Sequence, residues 1–484
     1  LKRAPPRAII GEERLLANSR YDLAIIGSGP GGYVAAIRAA QLKMKVAVVE
    51  RDRPGGVCLN WGCIPSKALL NSAEVMEEIR GAAKEHGIQT GEITVDFKRV
   101  IQRSRDVADK LQRGVRFLFK KNKIDLFEAN ATIAGPHTLA LSQAEGKPAP
   151  TVATIEADKL MIAAGSGERL FPGMQIGDGV MTSKEALVHD RIPASIIVIG
   201  AGAIGLEIGY FYQAFGSQVT IIELEKQMLP GFDAEIAEEL RRNFVRRKVT
   251  VLLGHGYKSM QKVGDKWSVT VSVDGAEKTL EAENVLIAVG RVALSTNLGL
   301  EKVGIEVERG FIKVDDSFRT TAKTIYAIGD VIRPPLLAHK ASAEGVAAVE
   351  IMAGVREPGF DLLSIAGCIY CEPEVATVGL SEAEAKARGI EVKVGKFPFS
   401  ALGKAIATNS TQGFVKLVVS SQYGEVVGCQ IIGNHATDLI SEVVLGKTLE
   451  ATNVEFGKTV HPHPTMSEAI MQAALAADGE AIDI

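Results

Sequence analysis

YDLAIIGSGPGGYVAAIRAAQLKMKVAVVE, residues 21–50, decides how the rest of this chain is read. Tyr21 to Ile26 has the near-continuous apolar character of a buried strand. It runs into Gly27-Ser28-Gly29-Pro30-Gly31-Gly32, then an alanine-rich helix from about Tyr33 to Leu42. A second strand, Lys45 to Val49, ends at Glu50. The glycines at 27, 29 and 32 have G-x-G-x-x-G spacing, with an acid 23 residues after the first. Such a unit gives a tight turn, room for a pyrophosphate at a helix N-terminus, and a carboxylate for a ribose. A glycine triplet alone is weak evidence, since it can serve packing only. With strand, helix, second strand and terminal acid around it, it predicts a dinucleotide site.

The pattern then recurs. Ser195 to Ile199 leads into Gly200-Ala201-Gly202-Ala203-Ile204-Gly205, a helix from Leu206 to Phe215, and a strand ending at Glu223, again 23 residues beyond the first glycine. The stretch from Met161 to Gly165 is matched by Glu283 to Arg291, each with a strand-then-glycine signature. Two complete copies mean two dinucleotides, or a doubled gene with one half retired; both copies keep every element, which favours two working sites. Glu223 would accept hydrogen bonds from both ribose hydroxyls and repel a 2′-phosphate, so the second site is expected to take NAD rather than NADP.

The 484 residues suggest about three domains. A hydrophobic fraction of 46% with 23% charged residues is ordinary globular composition. The net charge of −3 gives no reason to expect nucleic acid or an anionic membrane as partner. Five cysteines form no extracellular stapling framework. Residues 1–20 read as an N-terminal extension without the apolar core of an intact signal peptide. The most membrane-like run, Ala24 to Leu42, is broken by glycines and Arg38, which argues against a span.

Chemistry concentrates in Gly55-Gly56-Val57-Cys58-Leu59-Asn60-Trp61-Gly62-Cys63-Ile64-Pro65-Ser66-Lys67. In an ideal helix an i,i+5 pair is separated by about 7.5 Å along the axis and about 140° around it. A disulfide requires closer, facing residues, so a bond between Cys58 and Cys63 would demand a bent backbone, with which Gly62 and Pro65 are consistent. Two inert buried cysteines are the alternative. Asp330, at the end of the strand Lys323 to Ile328, suits a hydroxyl-bearing ligand or merely caps a turn. Beyond Gly359 the pattern changes to antiparallel strands and helices, an α+β unit without a nucleotide motif. Cys368 and Cys371 form C-x-x-C, but no second pair stands near to complete a zinc site, and core packing fits better. In His461-Pro462-His463-Pro464-Thr465-Met466-Ser467-Glu468 a rigidly held histidine could shuttle protons beside a carboxylate. The same run also reads as a capping box with Thr465 as N-cap and Glu468 at N3.

GSGPGG at 27–32, GGVCLNWGCIPSK at 55–67, GAGAIG at 200–205, YAIGD at 326–330, LAHKA at 337–341 and HPHPTMSE at 461–468 occur in one order. With these marks the chain, from Tyr21 to its C-terminus, resembles the lipoamide-acting branch of the pyridine nucleotide–disulfide oxidoreductases. The resemblance implies an α/β fold with two Rossmann-like domains, for FAD and NAD, and a C-terminal α+β dimerisation domain. It implies boundaries of 21–165 and 290–356 for FAD, 166–289 for NAD, and 357–484 for the interface. Gly27, Gly29, Gly32, Glu50, Lys67, Gly165, Asp330 and Ala338 would bind FAD; Gly200, Gly202, Gly205, Glu223 and Gly290 would bind NAD.

The same resemblance implies the site chemistry. Cys58 would be the interchange thiol, Cys63 the thiolate nearer the flavin, and Lys67 a partner of Glu207. His463 would be the acid–base catalyst, oriented by Glu468 and supplied across a homodimer. The implied activity is oxidation of protein-bound dihydrolipoyl groups by NAD through the disulfide and FAD. Implied partners are lipoyl domains of 2-oxoacid dehydrogenase complexes or the glycine-cleavage lipoyl protein. The compartment would be the cytoplasm in a bacterium, or an organelle matrix or stroma in a eukaryote. Three positions depart from the family pattern: Ala164, Cys371 and Pro462.

Overall fold

The computed structural model describes residues 20–483, so the expected extension at 1–20 falls outside them except for Arg20. The chain forms two compact units. Of the described residues, the first contains 20–64, then Arg105–Gly167 and Arg291–Phe360; the second contains Pro65–Ser104, Glu168–Gly290 and 361–483.

The first unit is built on a seven-stranded sheet. Its parallel part runs Asp125–Glu128, Val46–Glu50, Tyr21–Ile26, the end of Thr154–Ile162, and Ile325–Ala327. The expected hairpin material is present as Asn130–Gly135 and Thr138–Ser142, antiparallel to the beginning of Thr154–Ile162. One strand therefore does what the sequence reads as two: it closes the hairpin at its start and enters the parallel sheet at its end. Leu23, Ala24, Ile25, Val48, Leu160, Met161 and Ala327 are completely buried, because a parallel sheet is covered on both faces.

One cover is the helix Pro30–Gln41, against which Ala338–Met352 packs. Small residues let these two helices touch. A Cβ added to Gly345 would lie 2.7 Å from the Gly31 carbonyl oxygen and 3.3 Å from Ala35 Cβ. The segment after residue 290 thus returns to complete the first fold, supplying both a strand and a helix.

The second unit repeats the topology. Its five parallel strands run Thr250–Leu253, Gln218–Glu223, Ser195–Ile199, Asn284–Ile287 and Val180–Met181. An antiparallel sheet of Gly256–Val263, Lys266–Val273 and Ala276–Ala282 includes one more strand than the sequence pattern shows. The C-terminal sheet is antiparallel: Gly367–Ile369, Glu374–Gly379, Val426–Gly433, Phe414–Ser420, Val392–Pro398. Ala436–Thr448 and Glu468–Ala476 pack on it.

The sequence assigns 65–104 to the FAD domain and separates residues 166–289 from 357–484, whereas Pro65–Ser104, Glu168–Gly290 and residues 361–483 cluster in this one unit. Leu69, Leu70, Met76, Phe97 and Ile101 enter one apolar core with Ile196, Leu206, Phe211, Val375 and Phe414. The stacked rings of Phe97 and Phe211 are 5.7 Å apart. Buried Lys416 on the C-terminal sheet adds a polar tie, lying 3.1 Å from Asp233 and 2.7 Å from Glu235 at the start of the helix Ala234–Arg246.

Gly345→Val should overpack the helix contact and destabilise the protein by about 1–3 kcal/mol, read by chemical denaturation. An unchanged denaturation midpoint would contradict the close packing of these helices.

Candidate active site

Both glycine turns are built alike, and sterics explain each glycine. Gly27 has φ +96°, and a Cβ there would meet the Ala163 carbonyl oxygen at 2.4 Å; Gly200 has φ +108° and would meet that of Ala288 at 2.4 Å. A Cβ on Gly32 would lie 2.0 Å from the Gly27 carbonyl oxygen, and one on Gly205 2.1 Å from that of Gly200. Gly29 and Gly202 differ: a Cβ there would meet nothing within 4 Å. Each is the N-cap of a 12-residue helix and offers no side chain to cap it. The result is an open cradle of backbone N–H groups at a helix N-terminus, suited to a pyrophosphate. It lies at the carboxyl ends of the central strands, where the strand order reverses.

The paired acids lock these turns. Glu50 Oε2 accepts from Ser28 N at 2.8 Å and from Ser28 Oγ at 2.7 Å, while Oε1 accepts from Asp52 N at 2.9 Å. Glu223 Oε2 accepts from Ala201 N at 2.7 Å and Oε1 from Glu225 N at 2.9 Å. A carboxylate oxygen can accept more than one hydrogen bond, so both acids can order the loop and still receive ribose hydroxyls.

Asp330 is placed by residues the sequence reading did not connect to it. Its Oδ2 accepts from Ser166 Oγ at 2.6 Å, and Arg291 Nε donates to that Oγ at 2.8 Å. Beneath the turn, fully buried Glu344 accepts from Gly329 N at 2.8 Å and lies 3.3 Å from fully buried Lys340. Burial pushes the Glu344 carboxyl above its ordinary pKa and the Lys340 ammonium below its own. Gly165 has φ +73° with open space at its Cβ position. Ala338 opens its helix, and Leu337 before it supplies no side-chain cap. The open glycines, uncapped helix ends and fixed acids fit a dinucleotide in each unit.

The cysteine pair straddles a real break. Cys58 lies in the short helix Gly56–Trp61, Gly62 leaves helical geometry at φ −147° and ψ −112°, and Cys63 begins the helix Cys63–Glu77. This is the bend that the spacing demands, and it brings the two cysteines close together. Lys67 is four residues beyond Cys63 on the same helix, hence on the same side. Its Nζ is 2.9 Å from Glu207 Oε2 and 4.0 Å from the centre of the Tyr370 ring, and Tyr370 N donates to Glu207 Oε1 at 3.1 Å. Tyr370 carried no sequence signal for this contact beyond its proximity to Cys371.

The two histidines of HPHP have different environments. His461 is braced, with Nε2 2.8 Å from Glu442 Oε1, Nδ1 2.9 Å from the Thr459 carbonyl oxygen, and a side chain 4% exposed. His463 is 77% exposed, with Nδ1 2.9 Å from Glu468 Oε1. Glu468 Oε2 accepts from Thr465 N at 2.8 Å. The capping box is therefore only half made: Thr465 Oγ1 donates to the Pro462 carbonyl oxygen at 2.8 Å, and the residue preceding the helix is Ser467. One carboxylate serves both the cap and the histidine.

The remaining cysteines are packing groups. Cys371 is completely buried, its Sγ 3.6 Å from the Pro373 carbonyl oxygen. Burial, then Glu374, pushes the Cys368 thiol up to about 11. No cluster able to hold a metal occurs among the described residues, and none of their helices is long and apolar enough to cross a membrane.

Two dinucleotide cradles and a cysteine pair on a broken helix define a two-site redox enzyme. Residues 21–345 match the pyridine nucleotide-disulphide oxidoreductase model, and 365–474 match the dimerisation domain of the same family. The chain belongs to that family, whose cofactors are FAD and NAD. It is 44% identical over 474 residues to a dihydrolipoyl dehydrogenase of Bacillus subtilis, covering 96% of this chain and 99% of the relative. A Zymomonas mobilis protein of the same description is 41% identical over 467 residues, with 96% and 99% covered. The crystal structure of LpdA from Mycobacterium tuberculosis superposes with a TM-score of 0.87 at 27% identity, covering 93% of this chain and 98% of that one.

Partial burial raises the Glu468 pKa, but the Thr465 N–H and His463 outweigh it, leaving the carboxyl below its ordinary value of 4.5. A lowered folded-state pKa contributes stability above the unfolded value and loses it as pH falls through the folded one. Glu468→Gln should therefore be less stable than wild type at neutral pH, and the two should converge below pH 4. Urea melts across that range test this; a constant difference would contradict the assignment.

Proposed function

We propose that this chain is an NAD-dependent flavoprotein that oxidises protein-bound dihydrolipoyl groups through a Cys58–Cys63 redox disulfide. The observation that carries the reading is this cysteine pair, held close across a helix break, in a chain whose near-full-length relatives are dihydrolipoyl dehydrogenases. The active assembly is a homodimer in which His463 of each protomer serves the disulfide of the other. The C-terminal family match and the outward presentation of His463 support that arrangement. Lipoyl domains of 2-oxoacid dehydrogenase complexes or of glycine cleavage are the substrate carriers. The bacterial relatives support the cytoplasm as the compartment.

The residues divide the work as follows. With Nδ1–H of His463 directed at Glu468, Nε2 is left to accept a proton from a substrate thiol. The substrate thiolate attacks Cys58 Sγ, the disulfide breaks, and Cys63 leaves as a thiolate. The second substrate thiol then attacks the substrate sulfur of the mixed disulfide, releasing a cyclic disulfide; Cys58 leaves and takes the proton His463 holds, and His463 receives the proton of the second thiol. The protein has gained two electrons and the substrate has lost two. Lys67, one turn beyond Cys63, adds positive charge on the thiolate's side of the helix, and Glu207 with the Tyr370 ring fixes the ammonium. Bound FAD supplies the two-electron relay from the dithiol to NAD. Gly29, Glu50, Asp330 and Ala338 hold the first dinucleotide; Gly202, Glu223 and Gly290 hold the second.

Anaerobic dihydrolipoamide should change the flavin absorbance of the holoenzyme, and NAD should reverse the change as NADH forms. A flavin that never responds to the dithiol would sink the reading. Cys58→Ser should abolish the response, and His463→Gln should lower kcat by about 10²–10⁴-fold. NAD should be preferred to NADP by about two orders of magnitude in kcat/KM, with the preference reduced in Glu223→Ala.

A further inference from the structure

We infer that Arg105 and Asp109 form a positioning clamp that holds the interchange-cysteine helix in register for closure of the Cys58–Cys63 disulfide. This inference rests on the redox role proposed for those cysteines. It adds two residues that lie some 45 positions away and belong to none of the sequence motifs.

The helix Gly56–Trp61 has six residues, too short to be stable alone. Its start is fixed: Gly55 N donates to the Ser28 carbonyl oxygen at 3.0 Å, and a Cβ on Gly56 would lie 2.7 Å from Gly29 Cα. Buried Asn60 ties its interior, donating to the Gly56 carbonyl oxygen at 2.9 Å and to that of Pro54 at 3.1 Å. Further contacts come from the helix Phe97–Lys121. Arg105 Nη1 donates to the Asn60 carbonyl oxygen at 2.8 Å, and its guanidinium lies 5.3 Å from the centre of the Trp61 ring. Trp61 is itself held by Asp52, to whose Oδ2 its Nε1 donates at 2.7 Å. One turn further along the same helix, Asp109 Oδ1 accepts from Arg53 Nη2 at 2.6 Å.

Arg53 precedes the cysteine helix and Asn60 lies in its last turn, so the two contacts grip both flanks of Cys58 from one support. Arg105 Nε and Nη2 are buried without a protein partner, as is Asn60 Oδ1. The guanidinium is thus partly removed from water where it meets Asn60 and Trp61.

The consequence is thermodynamic. Disulfide formation removes two electrons and two protons from the thiols, and it is favoured by holding both sulfurs within bonding range. Releasing one flank lets Cys58 swing away from Cys63, which lowers the effective concentration of one thiol at the other. The disulfide then becomes easier to reduce. A role in stability alone would lower the melting temperature and leave this equilibrium unchanged.

The test uses FAD-loaded protein equilibrated anaerobically with reduced and oxidised dithiothreitol. One protein disulfide and one reduced dithiothreitol give one protein dithiol and one oxidised dithiothreitol. Acid quenching, thiol alkylation and intact mass report the ratio. Arg105→Met, which keeps a good helix former of similar length, should disfavour the disulfide about five- to tenfold, tenfold being about 30 mV. Arg105→Lys should recover most of the loss, and Asp109→Asn should shift the equilibrium in the same direction as Arg105→Met. If Arg105→Met fails to fold, the other two variants decide. A ratio within twofold of wild type, or a shift the other way, overturns the clamp. A wild type that shows no thiol–disulfide equilibrium overturns the redox reading itself.

Discussion

The close approach of Gly32 to the Gly27 carbonyl, repeated at Gly205 and Gly200, is the constraint on which both nucleotide folds depend. With a Cβ position only about 2 Å from a carbonyl oxygen, no other residue lets the helix start against the strand end. That contact aims the uncapped helix N-terminus at the open space beside Gly29 or Gly202. The acids at 50 and 223 then fasten the turn through backbone N–H groups. A steric limit on two glycines thus becomes an electrostatic site, because N–H groups left unpaired at a helix start attract phosphate.

The chemistry is arranged around this constraint in the first unit. The first glycine turn also anchors the cysteine segment: Gly55 bonds to Ser28, and Gly56 packs on Gly29. Position is thereby passed from nucleotide loop to redox helix through two residues of backbone. In the second unit, Glu207 combines functions in a similar way. It sits in the helix of the second glycine turn, pairs with Lys67 and accepts from Tyr370 N. Glu468 follows the same economy, since its two oxygens are divided between a helix start and a histidine.

Much of this was legible in the residues. Gly27, Gly200 and their acids announce themselves because the constraint is local: spacing and side-chain size suffice. The break at Gly62 was legible too, since an unbroken helix cannot bring i and i+5 together. Ser166, Arg291, Arg105 and Asp109 were not legible. Each acts on a residue tens or hundreds of positions away, and a polar residue on an amphipathic helix looks the same whether it faces water or a buried carbonyl. The capping box at Thr465 forms only through its N–H, because sequence shows the hydroxyl but not the Pro462 carbonyl to which it donates.

The sequence by itself determined the two glycine turns, the acid that fastens each, the cysteine pair and the histidine–carboxylate run, because their chemistry is set by neighbours along the chain. Only the tertiary structure decided which histidine is braced and which is presented, what holds Asp330, and that residues 65–104 share a core with 168–290 and the C-terminal sheet. Those outcomes depend on burial and on contacts between distant segments. Such contacts form only where the folded chain removes both partners from water, and no spacing rule encodes them.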